Sequence, residues 1–528
     1  MISPNARNAF LIAIIVTLGG FVFGLDAAVI SGTVPFITSK FDLTEMQMGT
    51  AVSAPGMGVL FALLLAGYVC DKFGRKKALV LVAGLYLISA VWSTLATSYI
   101  TLVIARFIGG LAFTSLSLAS MYLGEIAPPK WRGKLVTMNQ TSIVLGFSAA
   151  YFLNYYILLA SKSDASWAVE WGFTTQAWRW MLGTEIPFAL IWFVGLFFVP
   201  ESPRWLYRNG QVEAARRVMA KVLPPEEIEI EMKEMAESLH KGESSPSVWV
   251  QFRQLFSARL RLVLLLGLTI AAVQPATGIN AVLFYAPTVF EQLGGGTDAA
   301  FRQSAVVGIV SVIFTIFAIL LIDKVGRRPM MIGGLIWCAV SLGVCSYGFK
   351  SARYQLDTAA VASLPEQVDR AALRPIEGVV FQSDTAFKNA LRGAIGETQV
   401  RDYSSVLLQK AAQINATLIL LGIMSFIAAF QFSVGPIMWV LFSEIFPTAV
   451  RGVAIPAFAF ITSIVSYFVT QFFPWQLSTL GAANTFMSYV VMVVIGLVAI
   501  YRWLPETKNK TIEEVELAFE AAVKKSEA

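Results

Sequence analysis

The sequence predicts an all-α membrane protein whose twelve transmembrane helices form two pseudo-symmetric six-helix bundles, and three observations lead there. Of 528 residues, 56% are hydrophobic and only 14% charged, with a mean hydropathy of +0.66. Soluble globular domains do not have this balance. Apolar stretches long enough to cross a hydrocarbon core of about 30 Å recur twelve times. A charged block also occurs twice: Asp71-Lys72-Phe73-Gly74-Arg75-Lys76-Lys77 returns as Asp323-Lys324-Val325-Gly326-Arg327-Arg328-Pro329.

The first six apolar stretches lie near 9–35, 49–70, 78–97, 100–124, 134–160 and 180–199, giving an N-terminal bundle over 1–199. The other six lie near 260–290, 303–322, 330–349, 413–442, 452–475 and 481–503, giving a C-terminal bundle over 260–503. The first stretch follows Arg7 but runs on through Asp26 with no small-residue cleavage site, so it reads as a retained helix. A second duplicated mark supports the division: Glu125-Ile126-Ala127-Pro128 leading to Arg132-Gly133 returns as Glu444-Ile445-Phe446-Pro447 leading to Arg451-Gly452. Asp71 to Glu125 is 54 positions and Asp323 to Glu444 is 121, so the second half carries about 67 additional residues between its marks.

The polar segments complete the layout. Residues 200–259 form a linker whose Glu and Lys fall at helical spacing around Glu226, Glu227, Glu229, Glu231, Lys233 and Glu234, which predicts short surface helices. An insertion over about 350–412 has near-balanced charge, and segments such as Thr385 to Arg392 have a helical pattern. Its length and polarity favour a mobile loop over a small folded cap. Residues 504–528 form a tail.

Lys and Arg set the orientation. The loops at 71–77, 125–134, 200–262 and 323–329 hold 4, 3, 10 and 3 of them, whereas the short loops opposite hold Lys40, Lys162, Arg179 and Arg302. The richer loops face the cytoplasm, which puts both termini inside a cell (inner) membrane. The net charge of +6 reports this topology and implies no nucleic acid. Cys70, Cys338 and Cys345 are too few and too separated for a disulfide framework or a metal cage. The one histidine, His240, lies in the polar linker, which excludes a histidine relay within the membrane. No metal cluster, Ser/His/Asp set or nucleotide loop points to an enzyme, and no cofactor is implied.

Chemistry is then expected from ionisable residues inside apolar helices, where an unpaired charge costs several kcal/mol. Asp26, Arg106 and Glu185 stand out. At about 1.5 Å rise per residue, Asp26 in helix one and Arg106 in helix four reach similar depth, so they are expected to pair. Protonating Asp26 would release that pair, the minimal device for coupling movement of a substrate to a proton. The alternative is a static ion pair that fixes helix packing. Glu185 has a weaker case, because a neighbouring backbone group or Arg179 could satisfy it.

An ordered set of motifs spans nearly the whole chain: Gly24-Leu25-Asp26 with Ile30-Ser31-Gly32, the paired Asp-Lys-x-Gly-Arg blocks, Glu125 to Gly133, Pro200-Glu201-Ser202-Pro203-Arg204-Trp205-Leu206, Gly278-Ile279-Asn280, Gly435-Pro436 with Trp439, and Pro505-Glu506-Thr507-Lys508. By these the chain resembles the sugar porters of the major facilitator superfamily, most closely the bacterial xylose and related monosaccharide proton symporters. The resemblance implies the major facilitator fold and import of a monosaccharide or polyol by proton symport with alternating access, in a monomeric protein whose partners are the sugar, protons and the lipid bilayer. It further implies that Asp26 accepts the proton, with Arg106 and Glu185 beside it. Sugar hydroxyls would be held by Gln140, Gln274 and Asn280, with Trp439 against the ring. Phe23, Phe284, Tyr285, Ser311 and Thr462 are expected near the same cavity.

Several positions depart from that pattern and leave the sugar open. Pro275 replaces a second Gln after Gln274, Phe147 a second amide on helix five, Ser311 an Asn, and Thr462-Ser463 a Gln-Trp pair. Each lost amide removes a hydroxyl contact worth about 0.5–1.5 kcal/mol. Asp71, Arg75, Glu125, Arg132, Glu201, Arg204, Asp323, Arg327, Glu444 and Arg451 read both as topogenic signals and as a cytoplasmic gate. Two alternatives to symport remain: a facilitative uniporter, disfavoured because Asp26 and Arg106 are present, and a non-transporting sugar receptor, disfavoured by the short stretch after Pro505.

Overall fold

The computed structural model describes residues 4–243, 248–257 and 260–508, with 510, 514, 515 and 519 beyond them. Among the described residues, twelve helical spans are long and apolar enough to cross a membrane. The first six are Arg7–Phe41, Glu45–Phe73, Arg75–Leu95, Tyr99–Ile126, Thr137–Ser161 and Phe173–Phe198. The second six are Arg261–Phe284, Gly296–Val325, Arg327–Lys350, Ala416–Ile445, Val450–Thr479 and Gly481–Trp503. The chain is a multi-pass membrane protein. Its contacts form two compact units: one holds Met1–Ala28, Ala54–Ala150 and Leu182–Gln254, the other Val29–Ser53, Tyr151–Met181 and Leu255–Ala528.

Where water and the hydrophobic effect do not drive helices together, small residues allow the backbone contact that does. A Cβ at Gly24 in span one would stand 2.0 Å from the Ile143 carbonyl oxygen of span five, and one at Gly146 would stand 2.1 Å from the Phe21 carbonyl. The two helices are therefore in backbone contact around Asp26. Span four begins with a capping box, in which Thr101 N–H donates to Ser98 Oγ at 3.3 Å and Ser98 N–H to Thr101 Oγ1 at 3.1 Å.

Several spans are interrupted. Span seven stops at Ala276, passes through Gly278 at φ 83° and restarts as Ile279–Phe284, a left-handed conformation that glycine adopts without a Cβ penalty. Span ten breaks at Ser433 between Ala416–Phe432 and Val434–Ile445. Span six is kinked at Gln176, φ −133° and ψ 35°, and passes through Thr184 in helical conformation into Glu185–Gly195.

The linker contains four short helices, Pro203–Arg208, Val212–Val222, Pro225–Glu243 and Val248–Leu255. In the second, Ala215, Val218, Met219 and Val222 follow the i, i+3, i+4, i+7 pattern and are buried in the core of the first unit. The side chain of His240 lies outside those described.

The expected mobile loop is instead a folded cap. Arg353–Tyr354 pairs antiparallel with Ala412–Gln413, which closes the base of the insertion. Above that base the cap has its own apolar core, including Tyr354, Leu364, Phe387, Leu391 and Leu407, with Tyr354 stacked on Phe387 at 5.7 Å. The main cap helix, Asp384–Asp402, is capped by Ser383 and bends at Gly396, φ 79°. Near-balanced charge hid these apolar residues because they are spaced among surface charges.

At the joint between cap and spans, Thr297 Oγ1 donates to Glu291 Oε1 at 3.2 Å and faces Ser405 Oγ of the cap at 3.1 Å. Burial pushes the Glu291 carboxyl up from its ordinary value to about 7. A raised carboxyl pKa means that the joint's stability is full below about pH 4.5 and is lost as pH rises through about 7. Amide exchange across 404–411 should therefore be slower at pH 5 than at pH 8 after correction for intrinsic rates, and Glu291→Gln should remove the difference.

Candidate functional site: a buried charge cluster and two matched charge clusters

Asp26 is 0% exposed, and Arg106 and Glu185 are 2% exposed. Arg106 Nη1 donates to Asp26 Oδ1, and both its terminal nitrogens reach the Asp26 carbonyl oxygen at 3.4 Å. The Glu185 side chain, for which the sequence suggested a neighbouring backbone group or Arg179, lies close enough to Asp26 and Arg106 to interact electrostatically with both. Fully ionised, the three groups would sum to a charge of −1, which burial in an apolar bundle disfavours. Arg106 Nε, Asp26 Oδ2 and Glu185 Oε1 have no hydrogen-bond partner among the described residues, so the cluster retains capacity to rearrange.

The local folding explains the meeting. Gly24 and Gly146 bring spans one and five into contact beside Asp26. Ser89 Oγ donates to the Ala105 carbonyl at 2.8 Å, tying span three to span four next to Arg106. Glu185 is the first residue of Glu185–Gly195 and follows Thr184, itself in helical conformation. Tyr86 is fully buried between Phe113 and Trp192 and forms one wall.

The polar positions fall into two kinds. Gln140 in the first unit and Gln274 in the second are half-buried, and neither side chain has a hydrogen-bond partner among the described residues. Trp439 is 46% exposed and meets Phe442 edge-on at 6.0 Å. The others are already engaged. Asn280 Nδ2 donates to Ser466 Oγ at 2.6 Å, and Thr462 Oγ1 donates to the Ala271 carbonyl at 3.1 Å. Tyr285 is buried with its hydroxyl donating to the Thr470 carbonyl at 3.2 Å, and Ser311 is buried. Phe23 packs edge-on against Phe113 at 4.5 Å. Ser466 had no sequence signal beyond being polar in an apolar run.

The charged blocks form two clusters of the same design. In the first, Arg75 Nε donates to both Glu125 oxygens at 3.2 and 3.1 Å, and Nη1 reaches Asp71 Oδ1 at 3.4 Å. Ser202 Oγ donates to Glu125 Oε2, and Glu201 Oε1 accepts Lys76 N–H at 2.9 Å. In the second, Arg327 Nε donates to Glu444 Oε1 at 3.1 Å, and Nη2 reaches Asp323 Oδ1 at 3.1 Å. Thr507 Oγ1 donates to Glu444 Oε2 at 2.5 Å, and Glu506 accepts the N–H groups of Arg327 and Arg328, each at 3.1 Å. Glu201-Ser202 and Glu506-Thr507 are thus structural equivalents, each placing a carboxylate at a helix N-terminus. A Cβ at Gly74 or Gly326, at φ 91° and 106°, would meet that carboxylate at 2.4 or 2.8 Å.

Glu506 is the member that sequence reasoning left out of the site. The matching Pro200-Glu201-Ser202 and Pro505-Glu506-Thr507 triplets were the available signal. Arg204 is exposed, Arg451 turns to the Phe446 carbonyl at 3.0 Å, and the Arg132 side chain lies outside those described.

With the site in view, comparison with known proteins is specific. The profile of the family described as sugar (and other) transporter matches residues 12–363 and 398–519, and the chain belongs to that family. It is 33% identical to the arabinose-proton symporter of Bacillus subtilis (strain 168), over 97% of this chain and 96% of that one. It is 31% identical to the D-xylose-proton symporter of Escherichia coli (strain K12), over 99% and 98%. Its fold matches the inward open conformation of the xylose transporter XylE from E. coli at a TM-score of 0.72, with 29% identity over 97% of this chain and 99% of that chain. The fold is that of the major facilitator superfamily.

The Glu506 carboxylate replaces the missing helical acceptors of two N–H groups. Glu506→Gln should cost about 1–3 kcal/mol, read as a lowered midpoint of thermal unfolding in detergent. Lys510→Ala, by contrast, should leave the midpoint unchanged.

Proposed function

We propose that this protein imports a monosaccharide or polyol across the cell membrane, coupled to inward movement of a proton, by alternating access. The observation that carries the proposal is the buried cluster of Asp26, Arg106 and Glu185, in which two carboxyls lie beside one guanidinium. A cluster that is neutral with one proton can lose that proton only if its contacts change, which links protonation to helix position. The sugar-proton symporters among its relatives support the same reading.

In this cycle Asp26 takes up a proton while the site faces outward, weakening its hold on Arg106. The Gln140 and Gln274 amides both donate and accept, as sugar hydroxyls require, and Trp439 offers an aromatic face. The excess of Lys and Arg on the loops of the duplicated blocks supports cytoplasmic placement of those loops and of both termini. There the Arg75–Glu125 and Arg327–Glu444 clusters act as the inner gate, each changing partners as the two halves of a monomer rock. We read symport over uniport because a facilitator needs no titratable carboxyl pair at this depth.

Uptake of labelled pentoses, hexoses and polyols into proteoliposomes tests the proposal. One sugar should accumulate only with an inward proton gradient. Asp26→Asn should keep sugar exchange and lose accumulation, and Gln274→Ala should raise KM about two- to tenfold. Equal equilibration by wild type and Asp26→Asn would instead make the protein a uniporter. Glu444→Gln should raise labelling of cytoplasm-facing cavity cysteines severalfold; unchanged labelling would remove the gate assignment.

A further inference from the structure

The family profile skips residues 364–397, which lie within the cap between spans nine and ten. The cap is fastened firmly to the C-terminal half. Asp384 Oδ2 accepts the N–H of Ala482 at 3.3 Å, at the start of span twelve. Lys388 Nζ donates to Gln292 Oε1 at 2.8 Å, just beyond span seven, and Ser405 faces Thr297 at the start of span eight. Three different spans therefore move with the cap.

Its other contacts reach the turn between spans one and two, which belongs to the first six spans but packs in the same compact unit as the cap. Arg392 Nη2 pairs with Glu45 Oε1 at 3.2 Å, and Arg401 Nη1 pairs with Asp42 Oδ1. Both acids flank the turn between spans one and two, and both arginines lie on the bent Asp384–Asp402 helix, one on each side of Gly396. Asp42 adopts φ 55°, a left-handed conformation that Asp tolerates better than most residues, and this closes the turn beneath Arg401. Further contacts join the same halves nearby: Ser53 Oγ donates to Gln471 Oε1 at 2.6 Å, and Gln471 Nε2 donates to the Met46 carbonyl at 3.0 Å.

We propose that the cap is an electrostatic latch, carried by the C-terminal half and gripping the turn between spans one and two through Arg392–Glu45 and Arg401–Asp42, which biases the transporter toward closure of its outer face. Opening that face separates spans one and two from the C-terminal half, so both pairs must break. The pairs are partly solvated, which makes them a bias rather than a lock: together they shift the closed-to-open ratio by about two- to thirtyfold. The bias falls with ionic strength because the pairs lie at the aqueous surface. The latch rests on the alternating-access reading above.

The test uses the full chain with Ser53→Cys, a buried position at the Gln471 contact, labelled by a membrane-impermeant maleimide added to intact cells. Cys70, Cys338 and Cys345 are buried, and their background is measured without the reporter. Arg392→Glu or Asp42→Arg should raise the labelling rate severalfold. The swapped pairs Arg392→Glu with Glu45→Arg, and Arg401→Glu with Asp42→Arg, should return it toward the parent rate. High salt should raise the parent rate and leave the single reversals nearly unchanged.

Equal rates in parent and single reversals, or no recovery in either swap, would overturn the latch. A separate Val380→Cys reporter, on an exposed cap residue, labels from outside in every variant if the orientation holds. Its failure to label would refute the placement of the cap outside the cell. Loss of transport with a normal labelling pattern would count against the proposed function and leave the latch standing.

Discussion

Burying two carboxyls and a guanidinium inside an apolar helix bundle is the constraint around which this molecule is organised. A lone charge there costs several kcal/mol, and even a matched pair often fails to repay its desolvation. Asp26 and Arg106 alone would form a neutral pair; Glu185 beside them adds a second carboxyl, whose ionisation would leave the cluster with a net charge. Backbone contact of spans one and five at Gly24 and Gly146 sets the packing beside Asp26.

The two charged clusters at the duplicated blocks solve a different problem. An arginine at the start of a helix is held by a glutamate from a neighbouring span, and a second glutamate caps the helix N-terminus. Glu125 and Glu201 take these roles for Arg75, and Glu444 and Glu506 take them for Arg327. Because the charges are satisfied by hydrogen bonds of defined direction, each cluster has a preferred partner arrangement. Discrete arrangements of this kind favour switching between states over continuous deformation. The cap differs in using partly exposed ion pairs at the opposite surface, where solvent and salt weaken each contact.

The number and extent of the spans, the duplication and the short helices of the linker were legible in the sequence because they follow from run length, hydrophobic spacing and repeated words. The meeting of Asp26 with Arg106 was legible for a related reason: charge is rare in apolar helices, and helical rise converts sequence position into depth. Asn280 and Thr462 were equally legible as polar residues. Their hydrogen bonds to Ser466 and Ala271 were not, because those partners lie more than 180 residues away.

By itself, the sequence determined that this chain crosses the membrane twelve times, that it is built from two related halves, and which polar residues have to be accommodated inside it. Those are consequences of local composition and of repetition along the chain. Only the tertiary structure decided that Glu185 lies beside Asp26 and Arg106, that Glu506 repeats the role of Glu201, and that the 350–412 insertion folds into a cap held by Asp384, Arg392 and Arg401. Each depends on which distant groups satisfy one another's hydrogen bonds and charge once buried, and no local pattern records that choice.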